Sequence, residues 1–223
     1  MPNLLSPSTR GAIDLPGADL DWLHQLIADW QVIADLSVSD LVLWIRTSTG
    51  RFVAAAHSRP ATGATVHLEE VIGRRMPAAR EAMALEALTS VQVVVAADPE
   101  WTGTTAVREE YVPVVRDSEP IAIITRETSV GVMRGGGIVH QPQEDLADAL
   151  CLMISQGAFP IRGAATAVRH GTPRVGDGVV RLDDDGVVVY TSPNARSCFH
   201  RLGLVDEIDG QVLAEAVTRI IPE

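Results

Sequence analysis

The residues of this chain best suited to chemistry are His57, Arg59 and His67. Imidazole gains or loses a proton near neutrality, and guanidinium pairs with carboxylate or phosphate. Together the three suit the capture of an anionic or nucleotide-like ligand, and the same side chains also fit a solvated surface loop. No third donor at local spacing supports a metal site. His57, His67 or His140 could each serve an enzyme as general base. Other constellations are weaker. Cys198 and His200 lie two apart on an expected helix and point to different sides, so they make no thiol–imidazole pair. Asp183-Asp184-Asp185-Gly186 lacks the alternating ligands and final glutamate of a calcium loop and reads as a hairpin turn. Gly135-Gly136-Gly137 lacks the spacing of a phosphate loop and reads as a flexible loop. Arg108-Glu109-Glu110 reads as a solvated turn before a strand. No Gly-x-Ser-x-Gly elbow is present to activate a serine.

The elements that must position these residues are legible in outline. Leu20, Leu23, Ile27, Trp30 and Ala34 form one apolar stripe, predicting a helix over 19–36 with Asp19 as its N-cap. Leu41–Ile45 and Phe52–Ala56 flank Thr47-Ser48-Thr49-Gly50 and predict a β-hairpin. Pro60 and Gly63 then open a loop taken to carry His57, Arg59 and His67. A helix is expected from Pro77 to Leu88, followed by strands at Val91–Ala97, Tyr111–Arg116 and Ile121–Arg126. Pro142 opens a further helix with Leu146, Ala149, Leu150, Met153 and Ile154 as its buried stripe and Gly157 as its stop. Beyond the glycine- and proline-rich stretch 159–178 come a hairpin, Val179–Leu182 with Val187–Tyr190, and a helix capped by Ser192 with Pro193 at its first turn. The order describes an α+β fold, an antiparallel sheet flanked by helices. The organisation expected is a flexible lead-in at 1–17, a larger α+β domain at 18–158, a linker at 159–178 and a smaller unit at 179–223.

Composition excludes several functions. The chain has 223 residues, 46% hydrophobic, with a net charge of −11, and all 18 basic residues are arginine. Without lysine there is no P-loop lysine and no Schiff base. An acidic chain without basic clusters repels phosphate backbones, so no nucleic-acid role is expected. The opening Met-Pro-Asn-Leu-Leu is no secretory signal, no apolar run spans a bilayer, and two unpaired cysteines suit a reducing compartment. A cytoplasmic protein without membrane attachment is expected.

Several stretches keep a common order: Trp30–Ser37, Arg59-Pro60-Ala61-Thr62-Gly63 and Arg108-Glu109-Glu110, then Pro173–Gly178, Ser192-Pro193-Asn194-Ala195 and His200–Leu204. From about residue 15 to residue 217 the chain resembles the sensor region of actinobacterial cytosolic two-component histidine kinases, a GAF domain followed by a PAS domain. The resemblance implies a signal-input fragment that binds a small ligand or second messenger at His57, Arg59 and His67. It also implies work as a homodimer, a conformational bias passed to the chain's own kinase core, and through it to a cognate response regulator. Arg108-Glu109-Glu110 would be a conformational relay in such a family. Neither a phosphoacceptor-histidine segment nor an ATP-lid box is present, so ATP is assigned to a kinase core outside the chain. The fragment itself is expected to be non-enzymatic and cofactor-free. The PAS resemblance covers only an N-terminal half, in which Tyr190 and Asn194 would begin a pocket, and the chain reads as a truncated fragment. A stand-alone second-messenger-binding or protein-interaction module is the alternative.

Overall fold

The computed structural model describes residues 15–61, 63–131, 141–161 and 174–220. It divides into two compact units, Met1–Thr172 and Pro173–Glu223. Gly135-Gly136-Gly137 and His140 lie outside the described residues, as do most of the lead-in and much of the 159–178 stretch. Among the described residues no helix is long and apolar enough to cross a membrane.

The first unit begins with α1 (Gly17–Asp29) and α2 (Gln31–Ser37). The single helix expected over 19–36 is broken at Trp30, and the two pieces bury Trp22, Leu23, Leu26 and Ile33. Asp19 does not cap α1. Pro16 holds that position, its carbonyl accepting from the Asp19 and Leu20 amides, which leaves the Asp19 carboxylate to take Arg116 Nη1 at 2.5 Å. The strands are β1 (Asp40–Arg46), β2 (Phe52–Ser58), β3 (Val94–Val95), β4 (Glu100–Thr102), β5 (Thr105–Arg116) and β6 (Glu119–Ser129). They form one antiparallel sheet in the order β2-β1-β6-β5-β3, with β4 also paired to β5. The predicted strand at Val91–Ala97 shrinks to two residues, because Val91 takes a left-handed conformation (φ 54°) that ends the preceding helix. The β5–β6 ribbon runs well past its predicted start, so Arg108-Glu109-Glu110 is mid-strand and not a solvated turn.

α3 (Ala78–Ser90) lies against one sheet face, and α4 (Gln141–Ser155) packs on β5 and on α2 at the other. The inward side of α4 is Leu146, Ala147, Cys151 and Ile154, while Ala149 points outward. Gly157 (φ 70°) follows this helix as the sequence predicts. Between β2 and α3, residues 63–76 fold back over the sheet. Gly63 makes that possible, since a Cβ there would overlap the Val38 side chain.

The second unit is an antiparallel ribbon, β7 (Val180–Leu182) and β8 (Val188–Thr191), followed by α5 (Pro193–Arg201) and α6 (Leu213–Thr218). The Asp183 carboxylate accepts from the amides of Asp185 and Val187, an Asx-type turn. Ser192 Oγ accepts from the Ala195 amide at 3.3 Å, the expected cap. Val188, Leu204, Ile208 and Ala216 make a small core.

Candidate functional site

Sheet register sets three carboxylates side by side. Asp40 pairs with Glu127 across β1–β6, and Glu127 pairs with Glu109 across β5–β6. Paired residues share a face, so Asp40, Glu127 and Glu109 form a row on the face that α3 covers. All three are buried, at 0%, 0% and 1% exposure. Like charges set opposite each other repel, and buried charges without partners are strongly unfavourable. The row therefore requires its surroundings to supply donors.

Asp40 is satisfied from β2 and the 63–76 segment. One of its oxygens takes Thr65 Oγ1 at 2.5 Å and His57 Nε2 at 2.8 Å, and the other takes the Val66 amide at 2.6 Å. His57 reaches this face because of a bulge. Leu43 pairs with Ala56 while Trp44 pairs with Ala54, so Ala55 is an extra residue and His57 shares a face with Ala54. Its side chain is 1% exposed, and its Nδ1 has no hydrogen-bond partner among the described residues.

Glu127 is held by three donors: His67 Nε2 at 2.6 Å, Arg80 Nη2 at 2.6 Å and Thr125 Oγ1 at 2.7 Å. Burial alone would raise its pKa, yet the His67 hydrogen bond and the Arg80 charge hold the carboxyl down at about 2. Arg80, from the first turn of α3, also places Nε 3.0 Å from Glu109 and stacks 5.7 Å over Trp44. Glu109 accepts the Tyr111 hydroxyl at 2.5 Å, and burial pushes its carboxyl upward despite Arg80. Trp44 Nε1 donates to Thr125, completing a connected network. A carboxylate oxygen accepts, so each imidazole presents Nε2–H inward. The two rings meet edge to face at 5.5 Å.

One cleft opens onto this network. Its volume is about 470 Å³, and Thr65, His67, Leu68, Glu69, Arg74 and the Thr102–Thr105 turn line it. His67 links the cleft to Glu127, standing in the cleft wall with Nε2 on that buried carboxylate, while Thr65 and Val66 link it to Asp40. The three sequence-predicted residues thus separate. His67 lines the cleft. His57 lies behind it within β2, not on a loop, because the strand continues to Ser58. Arg59 lies outside, with Nη2 3.4 Å from the Glu69 carbonyl. Sequence reasoning missed Asp40, Arg80 and Glu127, and read Glu109 as part of a solvated turn. Charged residues opposed on adjacent strands were the available signal, but only register reveals it.

The opposite face carries a second charged group. Arg126, 7% exposed at its side chain, places Nε 2.9 Å from Glu110, also bonds that carboxylate through Nη2, and reaches Asp148 of α4 at 2.5 Å. Its Nη1 is buried without a partner among the described residues. Burial pushes the nearby Cys151 thiol up to about 11, so it stays protonated and unreactive. Among the described residues no group of His, Cys, Asp and Glu is arranged to hold a metal ion.

The family model of the histidine kinase PdtaS GAF domain matches residues 5–147. The sensor histidine kinase PdtaS of Mycolicibacterium smegmatis is 35% identical over 208 residues, covering 92% of this chain and 41% of the relative. That of Mycobacterium tuberculosis H37Rv is 35% identical over 219 residues, covering 94% and 42%. The chain therefore spans about two fifths of the length of these relatives. A solved structure described as the sensor region of a sensor histidine kinase matches with a TM-score of 0.77 and 31% identity, over 100% of this chain and 77% of that one.

Proposed function

The chain belongs to the GAF-domain family of PdtaS-type sensor histidine kinases, and from that premise we propose that it takes a small ligand in the cleft at His67 and biases a kinase core outside this chain. The observation that carries the input site is the double engagement of His67, in the cleft wall on one side and on the buried Glu127 on the other. A ligand that accepts a hydrogen bond from His67 competes with Glu127 for it. It thereby acts on an ionised group that has no water to fall back on. The hydroxyls of Thr102, Thr104 and Thr105 add neutral donors around the same space, while that of Thr65 is held by Asp40. These donors favour an anionic or nucleotide-like small molecule. His67 is the contact residue, His57 supports it through Asp40, and Arg59 guides from outside.

In the full protein we assign residues 18–158 to the GAF domain and 179–223 to the start of a PAS-like domain. ATP belongs to the kinase core, the output to a cognate response regulator, and the assembly is a cytoplasmic homodimer. Binding can shift a kinase only by the ligand's differential affinity for its two states.

A thermal-shift titration of the 223-residue chain with cyclic mononucleotides, cyclic dinucleotides and small dicarboxylates tests the input site. At least one compound should raise Tm saturably, by several degrees at about a hundredfold excess over Kd. H67A should abolish that shift. No shift from any compound, or an unchanged shift in H67A, removes the cleft as the input site.

A further inference from the structure

We propose that the dipeptides Glu109-Glu110 and Arg126-Glu127 form a coupling element through the sheet, by which the state of His67 on one face is reported to α4 on the other. The two dipeptides stand opposite each other, Glu109 against Glu127 and Glu110 against Arg126. Consecutive strand residues point to opposite faces, so each dipeptide spans the sheet. On the cleft side Glu127 is tied to His67 and Arg80. On the helix side Arg126 is tied to Glu110 and to Asp148 of α4.

One planar peptide unit separates Arg126 from Glu127, so the two side chains cannot be re-aimed independently without distorting the β5–β6 ladder. A buried carboxylate that loses a donor suffers a large desolvation penalty unless it moves toward another. Without His67, Glu127 is left with Arg80 and Thr125, which lie on its Oε1 side. It turns toward them, the strand turns with it, and Arg126 shifts in the opposite sense. Arg126 can answer such a shift because its buried Nη1 has no partner among the described residues, leaving a donor for a second arrangement. Two discrete arrangements biased from both ends are what physical coupling requires.

The inference takes its direction from the reading of the His67 cleft as the input site, but the coupling itself is internal and is tested without any ligand. Amide hydrogen exchange is compared across the 223-residue chain in wild type, H67A, the neutral pair E110Q/R126Q, and the triple combination. H67A should speed exchange in α4, over 146–154, by at least about threefold. In the E110Q/R126Q background the H67A effect on α4 should disappear while its effect on residues 65–76 persists. D148N, which changes only a half-exposed partner, serves the same comparison if the neutral pair does not fold. An H67A effect confined to the cleft face overturns the proposal. So does an α4 response of the same size in wild-type and E110Q/R126Q or D148N backgrounds.

Discussion

The two faces of the central sheet are made from the same strands and solve opposite problems. The face toward α1, α2 and α4 is aliphatic: Leu41, Leu43 and Ile45 from β1, Val112 and Val114 from β5, and Ile124 from β6, all essentially inaccessible. Arg126, with Glu110 and Asp148, brings buried charge to that face. The face toward α3 also has an apolar part, Val42, Trp44, Phe52, Ala54 and Ile123 with Met76 and Ala84. Directly beside it, however, lies the carboxylate row, whose stability depends on donors from β2, the segment carrying Thr65 to His67, α3 and the row's own strands. Apolar burial is non-directional and forgiving of small shifts, whereas a buried ion network fails if one member leaves. One face fixes the fold, and the other makes part of it conditional.

The largest expected break in this contrast is Arg80→Met. It strips Glu127 and Glu109 of their shared cation and should destabilise the first unit by about 3–5 kcal/mol at pH 7, read from urea unfolding. A loss below about 1 kcal/mol would mean that the histidines alone sustain the row. Leu43→Ala on the other face should lose roughly 2–5 kcal/mol through transfer and cavity terms. Its loss should be the same at pH 7 and pH 4, since no titrating group is involved, and a pH-dependent loss would show the two faces to be energetically mixed.

The acid limb sharpens the comparison further. Glu127 has a folded-state pKa of about 2, below its unfolded value, so its stabilisation is present above about pH 4.5 and is lost as pH falls toward 2. The loss is on the order of 3 kcal/mol, and Glu109, whose folded pKa is raised by burial, offsets part of it by favouring its protonated form. Glu127→Gln should flatten the stability–pH curve between those values. An unchanged acid limb would place the titration elsewhere.

The fold was legible wherever structure depends on local pattern. The β1–β2 hairpin, the Ser192-Pro193 helix start and the Gly157 stop come from alternation, capping and backbone freedom, all short-range. The helix break at Trp30 and the outward Ala149 were not legible, because tertiary packing chose among several acceptable faces. The site was legible only at its histidines. Arg108-Glu109-Glu110 reads as a turn because two adjacent glutamates look solvated. Their burial depends on Arg80, separated in sequence from Glu127 by 47 positions, and on Arg126 across the ladder. Pairings at that distance leave no periodic trace.

The bulge at Ala55 has a consequence for how this hairpin tolerates changes in length. Because Ala55 is supernumerary, deleting it restores plain alternation and leaves Phe52 and Ala54 on the core and His57 on Asp40. A deletion at Ile45, or anywhere else in the regular part of the ladder, rotates every later side chain of that strand to the wrong face. The hairpin thus has one position where a residue can be dropped without scrambling the remainder of the strand. Chains of this kind differing by a single residue in β2 should differ there, in a stretch where small side chains already suit either backbone.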